Sequence, residues 1–366
     1  MSHNILLTPP PGEFEIVQNI PSHPLTDAEQ LQNDDFIRAK AITLVTPIQN
    51  RELHVIYMDV LNSYVRDSSD GNYDVLHVIQ TFQRCLSQEG EATLMVDVIA
   101  IANDCEKLRQ LVKHLVAFLK SVHLAHSVPF SIVATPNPDA VAISRSSVPA
   151  HLEQAILQRD GYRCAYTGNY DQDSVNQNHV PLPSGASLSL TRIAPIISFA
   201  LDSSANAEEG EREAGIATIW RTFLRYFPSL RGKINHDSLY QYKNLVTFDV
   251  AVREHFESRT IAFQPSYGRT NQYDLHKFPA DISLPLQWSG RMALVSSDPR
   301  IPLPDPDFFA AHYQIAKMLE ETGIGAQIRE SNSDDHASRN PNNSLAVHSD
   351  IRRNLGTIIS SQPHGH

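Results

Sequence analysis

Apolar residues recur every three or four positions through much of the first third of the chain, and that spacing predicts helices. Phe36, Ile37, Ala41, Ile42 and Val45 form one stripe after Asp27 and Glu29, and Pro47 ends it. Leu53, Ile56, Tyr57, Val60, Leu61 and Tyr64 form a second over about 51–65, closed by Ser68, Ser69, Asp70 and Gly71. Two more helical segments follow at 75–86 and 93–124; the latter starts almost wholly apolar and becomes amphipathic from Leu108. Short helices with short connections predict an all-α domain over 26–126. Pro9, Pro10, Pro11, Pro21 and Pro24 make 1–25 an extended, disordered arm, and Pro129, Pro136 and Pro138 mark a linker over 127–148.

From residue 149 the pattern changes. Leu152, Ala155, Ile156 and Leu157 share one helix face that Asp160-Gly161 terminates, and Cys164 to Gly168 reads as a short strand entering a turn. A polar loop leads to a strand-like run over 188–201, which Pro195 restricts to an edge or a bend. Trp220, Phe223, Leu224 and Phe227 form a core-facing stripe, a helix over about 249–256 turns Val252 and Phe256 inward, and Ile261 to Phe263 closes the series as a strand. A last helix is predicted over 303–323, and the run SNSDDHASRNPNNS is too poor in apolar residues for a core, which predicts a disordered tail over 326–366. The sum is an α+β chain: an all-α N-terminal domain, then a mixed domain over 149–325.

Charge narrows the partners. A formal net charge of -11 and a pI near 5.8 exclude a protein whose whole surface attracts nucleic acid. Over 151–265 eleven basic residues stand against thirteen acidic ones, while over 220–259 seven basic residues face four acidic ones, a weak local positive excess. Cys85, Cys105 and Cys164 are odd in number and form no CxxC pair, so a disulfide framework and a four-cysteine zinc site are both unsupported. His114, His123 and His126 miss metal spacing and read as surface histidines near a helix end. No apolar run approaches the roughly 20 residues a bilayer requires, and the start of the chain has no signal-peptide pattern. The expectation is a soluble, intracellular, non-secreted protein with no membrane partner, nucleus and cytoplasm left open.

Four phrases within 157–265 carry the candidate chemistry: LQRDGYRCAYTG, LTRIAPIISFAL, NLVTFDVAVREHF and IAFQP. Their order and spacing resemble the fungal HNH endonuclease-like family, in which a helical region precedes a ββα-metal nuclease module with flanking helices. The form R-D-x-x-R-C-x-x-T-G is matched at Arg159, Asp160, Arg163, Cys164, Thr167 and Gly168. The resemblance implies hydrolysis of DNA phosphodiesters with one divalent metal such as Mg²⁺ or Zn²⁺, which stabilises charge on the phosphate and the leaving oxygen.

Carried onto this chain, the family's general-base histidine falls on Pro195, its asparagine on Asn244 and its helix histidine on Arg253. Proline carries no base, and losing such a base costs on the order of 10²- to 10⁴-fold in rate. A guanidinium is cationic and does not ligate metal. His255, His179 and His236 are the replacement candidates, and Asn244 with His255 the metal candidates. His255 lies two residues past the ligand position, a rotation of about 200°, and should point away. Asn244 reads equally as a turn residue, and Arg253 as a partner of Glu257 or as a phosphate contact. The resemblance therefore implies a catalytically degenerate module retained to bind DNA or a protein partner, with a divergent endonuclease as the alternative.

Overall fold

The computed structural model describes residues 47–66, 73–101, 104–124, 148–198, 219–234, 239–280, 282–285, 288 and 290–328. The N-terminal arm, the helix expected near 36–45, nearly all of the linker and most of the tail lie outside these residues. Packing divides the chain after Thr322.

Four helices come first: α1 (Pro47–Ser63), α2 (Val75–Cys85), α3 (Gln88–Ile101) and α4 (Cys105–Leu124). Pro47 opens α1, because at a first helical position its missing N–H forfeits no bond. The segment expected as one helix over 93–124 is two. Asp104 interrupts it, its carboxylate accepting the Lys107 N–H at 3.1 Å as a cap for α4. Asp74 caps α2 in the same way through His77 N–H. The four helices bury Tyr57, Leu61, Ile79, Phe82, Leu94, Val98, Leu115 and Phe118. His123 is buried with them at 2% exposure, which corrects its reading as a surface residue.

The second half begins with α5 (Ala150–Arg159), β1 (Tyr170–Asp171), α6 (Gln172–Asn176), β2 (Leu188–Ser189) and β3 (Thr191–Pro195). A helix α7 follows over 219–226. Then come β4 (Leu245–Asp249), α8 (Val250–Glu257), β5 (Ile261–Pro265), β6 (Gln272–Lys277), β7 (Arg291–Ala293) and α9 (Pro306–Glu321). β1 and β2 pair in parallel, β3 and β4 antiparallel, and β5, β6 and β7 form an antiparallel sheet in that order. The described fold is thus mixed helix and sheet, of the α+β kind. Among the described residues no helix is long and apolar enough to cross a membrane.

The aromatic stripe of α7 is core, as its spacing predicts. Phe223 lies 5.8 Å from Phe118 of α4 and 5.2 Å from Phe227, ring centre to ring centre. A polar knot fixes its orientation: the Tyr226 hydroxyl donates to Asp97 of α3 at 2.7 Å, and Arg225 Nε donates to the same carboxylate at 2.6 Å. Burial, reinforced by the Asp97 charge, holds the Tyr226 hydroxyl well above its ordinary pKa.

α9 covers the three-stranded sheet and reaches back to the helices. Phe309 packs 4.5 Å from Tyr273 of β6, while at the far end His77 bonds to the Glu321 carbonyl at 2.8 Å and Arg84 meets its carboxylate at 3.0 Å. His312 lies in the centre of this contact, stacked 3.9 Å from Phe256 with Nε2 donating to the Phe256 carbonyl at 3.1 Å. Its Nδ1 and the Nε of buried Arg259 have no partner among the described residues. Burial and the neighbouring Arg259 cation hold His312 well below its ordinary value of 6.5. Unfolding therefore takes up a proton below pH 6.5, and stability falls as pH drops. In urea titrations the wild type should lose more stability than H312L as the pH falls below 6.5. Parallel pH profiles for the two proteins would refute this.

Candidate functional site

The candidate site is built on β3, β4 and α8, and the phrase RDGYRCAYTG holds those elements together. Arg159 and Asp160 end α5 inside the protein, at 0% and 6% exposure. All five guanidinium N–H groups are satisfied. Nε and Nη2 donate to the two Asp160 oxygens at 2.7 and 3.0 Å, Nη2 also to the Leu245 carbonyl at 2.8 Å, and Nη1 to the carbonyls of Tyr242 at 2.8 Å and Pro302 at 3.2 Å. Asp160 in turn accepts the Thr247 N–H at 3.0 Å, so one ion pair pins the end of α5 to β4.

The remaining residues of the phrase continue this work. Cys164 to Gly168 is a turn and not the expected strand: the Gly168 N–H donates to the Cys164 carbonyl at 3.0 Å, and Gly168 takes φ +75, where a side chain would be strained. Ala165 N–H donates to the Thr247 carbonyl at 2.8 Å, which attaches the turn to β4. Cys164 is buried at 1% exposure, and burial pushes its thiol upward in pKa, away from the thiolate that binds metal. Thr167 Oγ1 donates to Asp249 at 2.9 Å, and Asp249 caps α8 by accepting the Val252 N–H at 2.8 Å. Sequence reasoning missed a parallel device at Asp171. Its buried carboxylate accepts N–H and hydroxyl from both Ser174 and Thr191, anchoring α6 and β3.

The structure brings Pro195 and Asn244 together. Pro195 pairs with Leu245 as the last residue of β3, and Asn244 immediately precedes β4. Among the described strands β3 pairs with β4 alone, so the missing N–H of Pro195 breaks no ladder. Asn244 is fully buried. Its amide nitrogen donates to the carbonyls of Ile197 and Leu239, both at 2.9 Å, and its Oδ1 accepts the Ile197 N–H at 2.9 Å. Its own carbonyl accepts Ile196 N–H at 2.8 Å. One amide proton and the oxygen of Asn244 thus hold the chain leaving β3 at Ile197, and the other amide proton holds Leu239, five residues before it.

Arg253, on α8, turns to its own helix. Nε donates to Glu257 at 2.7 Å, the i,i+4 pairing open to it in the sequence. His255 faces elsewhere, with Nδ1 2.9 Å from Thr260 Oγ1 and its ring edge-on to Trp288 at 5.5 Å, while Val252 and Phe256 are the buried residues of the helix. His179 is exposed, stacked on Tyr162 at 6.0 Å and bonded to Gln177 at 3.1 Å. His236 lies outside the described residues.

These side chains do not fit a divalent cation. Pro195 offers no donor atom, the Asn244 oxygen is engaged by a backbone N–H, and Arg253 is a cation. Among the described residues no group of three or more His, Cys, Asp or Glu side chains is placed to hold a metal. The positive excess over 220–259 is also largely spent: Arg225 pairs with Asp97, Lys233 with Asp305 and Asp307, Arg253 with Glu257, and Arg259 is buried. Compared with known proteins, the chain matches no family model, no curated protein and no solved structure.

Proposed function

We propose that this chain is an HNH-nuclease-like protein whose nuclease positions no longer support metal-dependent hydrolysis, and that it serves as a nucleic-acid-binding module. The reading is supported by the order of two antiparallel strands and a helix over the four phrases, and by the use of Arg159, Asp160, Thr167 and Gly168 to hold those elements. The observation that carries the loss of catalysis is the Asn244 amide, saturated by backbone beside a proline that has no base to orient.

Incubation with plasmid DNA and Mg²⁺, Mn²⁺ or Zn²⁺ tests it. The expected result is intact supercoiled plasmid under every metal, with DNA retarded in a gel shift at low salt. Metal-dependent nicking that disappears in H255A would instead establish the divergent endonuclease. Absence of both nicking and retardation would sink the nucleic-acid part and leave a protein-interaction module.

A further inference from the structure

The β5–β6 hairpin ends in an exposed tip whose base is hydrogen-bonded on both sides. Ser266, at its base, is buried at 7% exposure; its N–H donates to the Gln272 carbonyl at 2.8 Å and its hydroxyl to Asp274 at 2.7 Å. Arg269 N–H donates to the Ser266 carbonyl at 3.2 Å, closing a four-residue turn with Gly268 third at φ +70, the left-handed geometry that type II turns reserve for glycine. On the other side Asn271 accepts the Leu294 N–H at 2.9 Å, which ties the tip to the chain leaving β7.

This frame displays Tyr267 with 104% relative exposure, and exposed Arg269 two residues on. Arg269 forms no ion pair among the described residues; its one side-chain bond is a long 3.4 Å contact to Gln272. A free aromatic face beside a free cation matches two needs of single-stranded nucleic acid, a surface for a base and a charge for its phosphate. A stable protein interface covers about 800 Å² on each side and would have to extend well beyond this tip. The four residues of this tip offer far less, whereas one base requires only a ring.

We propose that the β5–β6 tip is a contact for single-stranded nucleic acid, with Tyr267 stacking on a base and Arg269 meeting a neighbouring phosphate. The proposal rests on the nucleic-acid reading above and locates the contact on the β5–β6 tip, outside β3, β4 and α8, where Arg253 is engaged by Glu257. The test is fluorescence anisotropy of the full chain with labelled oligo(dT) and oligo(rU). Y267A should weaken binding on the order of tenfold. Y267F should bind as the wild type does, because stacking requires no hydroxyl, and Y267L should be as weak as Y267A, because a branched alkyl group has no π-face. R269A should flatten the salt dependence by about 0.7 in log K against log salt. Residues 267–270 are all exposed, so each variant should keep the wild-type Tm.

Wild type that binds neither oligonucleotide would overturn the nucleic-acid reading and this proposal with it. Binding that Y267A and R269A leave unchanged would overturn this proposal alone, and full binding by Y267L would overturn the stacking. A protein partner lost on Y267A, with oligonucleotide binding unchanged, would likewise overturn it. Loss of binding in Y267A and R269A supports the contact, and the oligonucleotide bound more tightly identifies the preferred acid as DNA or RNA.

Discussion

R159M should lower the unfolding free energy by about 3–5 kcal/mol, the cost of removing one partner from a buried ion pair. The methionine would fill part of the space, so the loss is chiefly electrostatic. Asp160, at 6% exposure, would keep only the Thr247 N–H, and the carbonyls of Tyr242, Leu245 and Pro302 would lose the donor they share. R159K should recover little, because an ammonium has three donors where five are used and lacks the planar fork that grips Asp160 through two bonds. The double variant R159M/D160N tests the mechanism. With the stranded carboxylate neutralised, its loss should be smaller than the sum of the two single losses, by 1 kcal/mol or more on the order expected of groups in direct contact. Urea unfolding at pH 7 measures wild type, R159M, R159K, D160N and the double variant, and strict additivity would show that Arg159 and Asp160 do not act as a pair.

That pair marks the limit of what a sequence displays. The order of helices was legible because their apolar residues keep helical spacing, and the aromatic stripe at Trp220, Phe223 and Phe227 is core as its period requires. Arg159 reads as one more charge at a helix end, since arginine is rarely buried. Its acceptors at Tyr242, Leu245 and Pro302 are backbone carbonyls, which no residue type announces. β6 and β7 escaped notice for a related reason. QYDLHK alternates through only two apolar residues, Tyr273 and Leu275, of which only Tyr273 is buried, and RMA is three residues long, so in neither is the run long enough for the period of a half-buried strand to stand out.

The same asymmetry applies to charge. The contact of Arg253 with Glu257 follows from helix spacing and was readable. Asp97 with Arg225 and Asp305 with Lys233 join residues far apart in the chain, so a local count of basic residues overstated the field near α8. Asn244 is the residue at which two readings, turn former and relic of a site, stood level. Its bond to the Leu239 carbonyl, five residues back, is the local contact of a turn former, while its two bonds to Ile197 join segments that only the fold brings together.

N244A should therefore behave as a structural lesion. It removes three buried hydrogen bonds, each worth about 1 kcal/mol net, and leaves one N–H and two carbonyls without that partner, so a total loss of about 3–5 kcal/mol is expected. N244D should lose nearly as much at pH 7. Its carboxylate can still accept the Ile197 N–H, but it cannot donate to the carbonyls of Ile197 and Leu239 and would face them with like polarity. Native-state hydrogen exchange gives the local readout: the Ile197 amide should lose protection in N244A and retain part of it in N244D. Affinity for oligo(dT), corrected for the folded fraction, should stay at the wild-type level in both variants. If N244A instead kept wild-type stability and lost binding, Asn244 would be a ligand-contacting residue, and the loop it clamps would owe its conformation to something else.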